Sequence, residues 1–259
     1  MPTENEYLLF QAHHKGTDIL AYKTGKILLR GDDVSDEIVT IKEGLGLHDY
    51  EAVGSDEVGT GDVFGPIVVC AVLVKLEDIN FLEKLNVRDS KNINDRQIVK
   101  LGPILAKRLI HSLLILNPKK YNELTKKGNN LNKIKASLHN TAIINTTVKY
   151  AKPVPVILDK FCSIENYFNY LKNEKFVYRD INFLERAESI HLSVACASII
   201  ARYAFLVKMH EYSKQLDIKL PKGASEQVDE AIKEILATKG LAALDLVAKT
   251  NYKNVTRLI

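Results

Sequence analysis

Eight consecutive apolar residues, Ile67 to Val74 (IVVCAVLV), constrain this chain more than any other stretch. Five of the eight are β-branched, and no polar residue breaks the run. Such a segment reads as a strand covered on both faces, which requires helices packed above and below a sheet. The pattern on either side agrees. Asn94–Ile110 has helical periodicity through Ile98, Leu101, Leu105 and Leu109, with a kink expected at Pro103. Leu113–Leu116 reads as a strand, Leu131–Tyr150 as a helix and Val154–Leu158 as a short strand ending on Asp159. His191–Met209 reads as a central helix, because Ala195, Cys196, Ala197, Ser198 and Ala201 are small enough for close packing on a sheet. Glu226–Thr238 reads as an amphipathic helix, capped by Ser225 and ended by Gly240. Strands alternating with helices give the α/β class.

The first fifty residues follow a different pattern. Tyr7–Ala12, Ile19–Tyr22 and Lys26–Arg30 read as three strands, with turns at Lys15-Gly16 and Thr24-Gly25. An acidic stretch from Asp32 to Glu43 reads as a linker or short helix, and a boundary is expected near His48. The expected division is a small β-rich module over 1–47 and a larger domain over 48–259.

The 259 residues suffice for a full core, and 46% hydrophobic with 26% charged residues excludes a disordered or fibrous chain. No apolar run approaches the ~20 residues of a membrane span. The opening MPTENEY lacks the basic and apolar regions of a signal peptide. Cys70, Cys162 and Cys196 are far apart and odd in number, as for reduced thiols. These features point to a cytoplasmic globular protein.

Charge is distributed unevenly. Residues 1–49 hold nine acids against five bases, so the overall +4 leaves the remainder at +8. Between Asn117 and Lys135 stand Lys119, Lys120, Lys126, Lys127, Lys133 and Lys135, opposed only by Glu123. With five asparagines and Gly128 among them, these lysines read as a surface for a polyanion or as a solvated loop.

The chemistry concentrates in Val53-Gly54-Ser55-Asp56-Glu57-Val58-Gly59-Thr60-Gly61-Asp62-Val63-Phe64-Gly65-Pro66. Adjacent acids near a core repel each other unless a cation neutralises them. Mg²⁺ suits such a place, because it takes hard oxygen ligands and keeps waters for a phosphate-rich substrate. The glycines imitate a dinucleotide-binding fingerprint, but that motif needs a helix after the loop, and Pro66 followed by the apolar run provides a strand instead. Asp159, at the end of its strand, and Glu188, just before the central helix, complete a set of four carboxylates. Converging on a phosphodiester, four carboxylates imply two-metal hydrolysis.

The stretch Gly54 to Pro66 resembles the opening motif of the type 2 ribonucleases H, in the form used by ribonuclease HIII. Arg88-Asp89-Ser90-Lys91 resembles the next motif of that family. Further resemblances are Asn117-Pro118-Lys119-Lys120-Tyr121-Asn122, Asn130 to Ala136, Arg186-Ala187-Glu188-Ser189, Ala197 to Ala204 and Leu220 to Ser225, in consistent order. The resemblance implies a ribonuclease H-like mixed sheet flanked by helices. It also implies endonucleolytic cutting of the RNA strand of RNA/DNA hybrids with Mg²⁺ or Mn²⁺, leaving 5′-phosphate and 3′-hydroxyl ends. Asp56, Glu57, Asp159 and Glu188 fall on its catalytic, metal-binding positions, with Asp56 shared between two ions. Gly59, Thr60 and Gly61 fall on the loop that contacts 2′-hydroxyls, Ser90 and Lys91 on substrate contacts, and Lys133 and Lys135 on phosphate contacts. Glu188 and Thr60 suit ribonuclease HIII over ribonuclease HII, and hence tracts of several ribonucleotides over a single embedded one. Lys160 departs from the family's usual glutamine, placing a cation beside Asp159. Phe10 to Lys26 resembles the later part of the family's TATA-box-binding-protein-like module, without its opening strand and helix. The partner implied is RNA/DNA hybrid, with no membrane and with a monomeric chain. The rival readings are cutting at single embedded ribonucleotides, a non-catalytic nucleic-acid-binding protein and a DNA nuclease on the same scaffold.

Overall fold

The computed structural model describes residues 6–45, 50–87 and 93–259. The chain divides into two compact units, Met1–Tyr50 and Glu51–Ile259. In the first, β1 (Leu8–His14), β2 (Thr17–Tyr22) and β3 (Ile27–Arg30) form an antiparallel meander in that order, followed by α1 (Ser35–Gly44). Both turns rest on glycines in the left-handed region, Gly16 at φ 83° and Gly25 at φ 82°. Of the unit's basic residues, Lys15 and Arg30 lie at one end of the meander, and Lys23 and Lys26 at the other. Strands of this length span about 20 Å, so the two pairs stand well apart.

The second unit is a five-stranded mixed sheet in the order β6-β5-β4-β7-β8. Its strands are β4 (Ala52–Val58), β5 (Ile67–Val74), β6 (His111–Leu116), β7 (Val156–Asp159) and β8 (Asn182–Leu184). β4 and β5 form an antiparallel hairpin, β6 pairs antiparallel with β5, and β7 and β8 run parallel to β4. The apolar run is β5, and every residue of it is buried. Its alternation divides the core. Val68, Cys70, Val72 and Val74 face the long helix α8 (Leu192–Leu216), with α3 (Asp95–Arg108), α9 (Glu226–Thr238) and α10 (Gly240–Val247) on the same side. Ile67, Val69, Ala71 and Leu73 face α5 (Leu131–Tyr150) and α4 (Pro118–Lys126).

α8 corrects the reading of apolar runs, since by length and mean hydropathy it meets the criterion for a membrane span. Two thirds of that window is buried, packed on the sheet, so the core accounts for its apolarity. Nothing in the sequence pattern warned of α2 (Leu76–Lys84), α6 (Ile164–Tyr170), α7 (Ala187–Ile190), α10, α11 (Lys253–Thr256) or three-residue β8, and α4 was not read as a helix. Ser225 precedes α9 but makes no side-chain cap, and the turn is held by its carbonyl, which accepts from Val228 N–H at 3.0 Å. α3 carries Pro103 inside a helix whose start is fixed by reciprocal bonds between Asn94 and Gln97.

Behind β7 a cluster of rings packs edge-on. Tyr167 touches Phe161, Phe168 and Phe183 at centroid distances of 5.1–6.1 Å. Its hydroxyl is buried and has no hydrogen-bond partner among the described residues. Tyr167→Phe is therefore expected to leave the fold unchanged and raise stability by about 1 kcal/mol, because an unsatisfied buried hydroxyl is removed. Thermal denaturation checks this, and a lower melting temperature would show that the hydroxyl has a partner.

Candidate active site

Asp56 and Glu57 lie in β4 opposite Cys70 and Val69 of β5, just before the chain leaves the sheet. Both carboxyls are shielded, and the pair divides its charge. Burial, with Glu57 beside it and Asp159 nearby, pushes Asp56 up to about 8, against hydrogen bonds from the Ser198 side chain and Glu57 N–H. Burial also acts on Glu57 but is outweighed by His139 and Lys135, which hold its carboxyl down to about 2. The two acids thus differ, Asp56 being pushed towards its neutral form and Glu57 held ionised by His139 and Lys135.

Two of these partners, Ser198 and His139, escaped the sequence reading, and the third, Lys135, was expected on a phosphate instead. Ser198 projects from α8. His139 and Lys135 stand four residues apart on α5, a spacing that puts both on one helix face. Lys135 Nζ sits 2.5 Å from Glu57 Oε1, and His139 Nε2 sits 2.9 Å from Oε2. The ring of His139 reaches Ser55 Oγ at 2.8 Å through Nδ1, and Ser55 Oγ lies 3.1 Å from the Cys70 carbonyl. Phe161 stacks on His139 at 5.5 Å and lies under the Lys135 ammonium at 3.9 Å. Lys135, expected on a phosphate, is instead 7% exposed and paired with Glu57, because its neighbours Ile134 and Ala136 face the core.

Asp159 ends β7, parallel to and adjacent to β4, and its Oδ1 accepts Ala187 N–H at 2.7 Å. That bond brings α7 to the strand end, and Glu188 is the next residue along it, half-buried. The cation of Lys160 lies 3.3 Å from Glu185, an exposed pair facing outwards. Among the described residues, no three His, Cys, Asp or Glu side chains are set as metal ligands, and Glu57 is turned onto Lys135 and His139. The donors nonetheless suit a hard divalent ion. They are hard carboxylate oxygens crowded together, a setting that a divalent cation would stabilise.

Gly59 and Gly65 take φ 95° and 84°, and the loop between them runs past the buried Val63 and Phe64. Gly61 is exposed, and a side chain there would meet nothing within 4 Å. Ser90 and Lys91, with Arg88 and Asp89, lie outside the described residues. Lys133 is exposed on α5, as are Lys119, Lys120, Lys126 and Lys127 on and after α4. Four of the five asparagines among these lysines have structural tasks. Asn117 and Asn130 cap α4 and α5, Asn129 donates to the Leu124 carbonyl, and Asn122 is buried. The basic stretch is a helix, a turn and a helix, not a flexible loop.

The family model described as Ribonuclease HII matches residues 53–255. A ribonuclease HIII from Phytoplasma mali is 50% identical over 98% of this chain and 88% of its own. One from Bacillus mycoides is 39% identical over 96% and 87%. Among solved structures, Bst-RNase HIII in complex with Mn²⁺ superposes with a TM-score of 0.80 at 35% identity, covering 97% of this chain and 88% of that one. With a family match over most of the chain and relatives at this identity along nearly the full length, the chain belongs to the ribonuclease HII family, on its ribonuclease HIII branch.

Proposed function

We propose that this protein is a metal-dependent endonuclease that hydrolyses the RNA strand of RNA/DNA hybrids, with Asp56, Glu57, Asp159 and Glu188 as its catalytic carboxylates. The observation that carries the reading is the shielded Asp56–Glu57 pair, with Asp159 near enough to raise Asp56 further. Such a cluster is costly for a scaffold and useful to a cation-binding site. Divalent ions, Mg²⁺ or Mn²⁺, held by these oxygens would supply an activated water and stabilise the leaving oxygen. The solved Bst-RNase HIII complex with Mn²⁺ supports that choice.

The chain's own residues supply the remaining tasks. Ser198 and Glu57 N–H hold the Asp56 carboxyl in place, and Ala187 N–H does the same for Asp159. Lys135 and His139 fix the Glu57 carboxyl and keep it ionised. Gly59, Thr60 and Gly61 present backbone to the ribose 2′-hydroxyl, the group that distinguishes RNA from DNA. The exposed Lys119, Lys120, Lys126, Lys127 and Lys133 hold the phosphate backbone. Ser90 and Lys91 are proposed as substrate contacts on the resemblance alone. We assign residues 1–47 as a substrate-binding module and 48–259 as the catalytic domain, acting as a monomer in the cytoplasm. The free thiols of Cys70, Cys162 and Cys196 agree with a reducing compartment.

A uniform RNA/DNA hybrid and a duplex with one embedded ribonucleotide, each incubated with Mg²⁺, Mn²⁺ or chelator, test the proposal. Metal-dependent cutting of the hybrid alone is expected. Cutting of the single-ribonucleotide duplex would shift the assignment to ribonuclease HII behaviour, and no cutting of either would leave a binding protein.

A further inference from the structure

The loop from Gly59 to Gly65 is held from a second direction, by the segment Val247–Tyr252 between α10 and α11. Gly65 N–H donates to the Val247 carbonyl and Lys249 N–H to the Val63 carbonyl, both at 2.8 Å, and Phe64 bridges Ala248 as an antiparallel pair. Two side chains of the segment add bonds to the loop's carbonyls. Lys249, fully buried, donates from Nζ to Gly65 at 2.6 Å and to Phe64 at 3.5 Å. Tyr252 donates from its hydroxyl to Thr60 at 2.6 Å.

The last bond fixes more than a carbonyl. The Thr60–Gly61 peptide is trans, and in a trans peptide the C=O and N–H point in opposite directions. Anchoring the Thr60 carbonyl on Tyr252 therefore aims the Gly61 N–H away from Tyr252. Gly61 is the exposed residue of the loop, with open space around it. The segment is in turn bound to the basic helix α4. Asn122 donates to the carbonyls of Ala248 at 2.9 Å and Asp245 at 3.3 Å, and accepts Thr250 N–H at 3.0 Å.

We infer that Tyr252 and Lys249 are positioning residues for ribose recognition, holding the Thr60–Gly61 peptide so that the Gly61 amide faces the 2′-hydroxyl, with Asn122 seating the same segment on the lysine-bearing α4. The inference rests on the assignment of Gly59–Gly61 to 2′-hydroxyl reading. A phosphate-holding helix and a ribose-reading loop then share one support, so backbone grip and sugar identity are registered together.

Lys249 is embedded too deeply for a clean deletion, because its loss would orphan two buried carbonyls. Tyr252→Phe removes one hydroxyl and keeps the ring. The affinities of the full chain are measured in chelator by fluorescence anisotropy, for an RNA/DNA hybrid and for the same hybrid with a 2′-fluoro strand. The fluoro strand keeps the A-form duplex but lacks the hydroxyl. The wild type is expected to prefer the hydroxyl strand, and Tyr252→Phe to lose about 5- to 10-fold of that preference, the scale of one lost positioning hydrogen bond. KM for the hybrid should rise by a similar factor and more than kcat falls. A preference unchanged in Tyr252→Phe overturns the inference. A wild type that binds both strands equally overturns the loop assignment instead, and the brace with it.

Discussion

Asp56→Asn is expected to cut RNA/DNA hybrids slower by on the order of a thousandfold or more, and yet to melt at a higher temperature than the wild type when metal is absent. The two effects have one origin. Asp56 stands shielded beside Glu57, and its carboxyl is pushed from an ordinary 3.8 up to about 8. The folded chain thus holds a proton there that the unfolded chain releases near pH 4. The stability linked to that proton is fully present below pH 4 and is lost as the pH rises to 8. Asparagine keeps the shape, carries no charge and removes the loss. Discounted for the partial exposure of the pair, the gain at pH 8 is about 1–3 kcal/mol, or about 3–10 °C. It shrinks to nothing towards pH 4. Metal reverses the order, since only the wild type offers an ionisable Asp56 to the ion, and its binding should release a proton near neutrality. Melting curves at pH 4 and 8, with chelator and with Mn²⁺, together with hybrid cleavage, check all of this. Normal cutting would remove Asp56 from the site, and a lower melting temperature at pH 8 would show that the folded chain does not hold that proton.

What the sequence displayed and what it concealed follow from how far each signal reaches along the chain. β5, α5 and α9 stood out because their patterns are long and local, and the observed bounds of all three are those expected. α4 was hidden because its lysines suit a solvated loop as well as a helix. Its legible marker was Asn117-Pro118, a capping residue followed by proline at the first helical position. β8, at three residues, is formed by its parallel pairing with β7 and has no pattern of its own. In the site, the adjacency of Asp56 and Glu57 was visible, whereas the division of their charge was not. That division depends on His139, 82 residues away in the chain. Lys133 and Lys135 looked alike in a basic run. They diverge because two residues along a helix turn the side chain by about 200°, leaving one in solvent and the other on Glu57.

The second large effect is expected at Gly54, two residues before Asp56. Strand β4 passes so close to the first turn of α8 that a Cβ at Gly54 would lie 2.3 Å from Val194 N and 2.4 Å from Ser193 C. Both are backbone atoms, so no rotamer change relieves the clash, and β4 and α8 must separate. Gly54→Ala should cost about 3 kcal/mol or more, a large share of the roughly 5–15 kcal/mol that holds a domain together. Separation also moves Asp56 away from Ser198, which lies on α8 and orients its carboxyl. A displacement near 1 Å is enough to cost about a hundredfold in rate, so activity should fall even at temperatures where the variant is folded. Gly61→Ala is the contrasting variant for stability, because no atom lies within 4 Å of a Cβ there and it should melt with the wild type. Thermal denaturation of both, with single-turnover cleavage by Gly54→Ala below its melting point, tests the coupling. A melting temperature for Gly54→Ala within about 2 °C of the wild type would correspond to no more than about 1 kcal/mol in a domain of this size. The strand and helix would then not be in the contact described. A variant that is destabilised but cuts at the wild-type rate would instead show that the β4–α8 contact holds the fold without setting the position of Asp56.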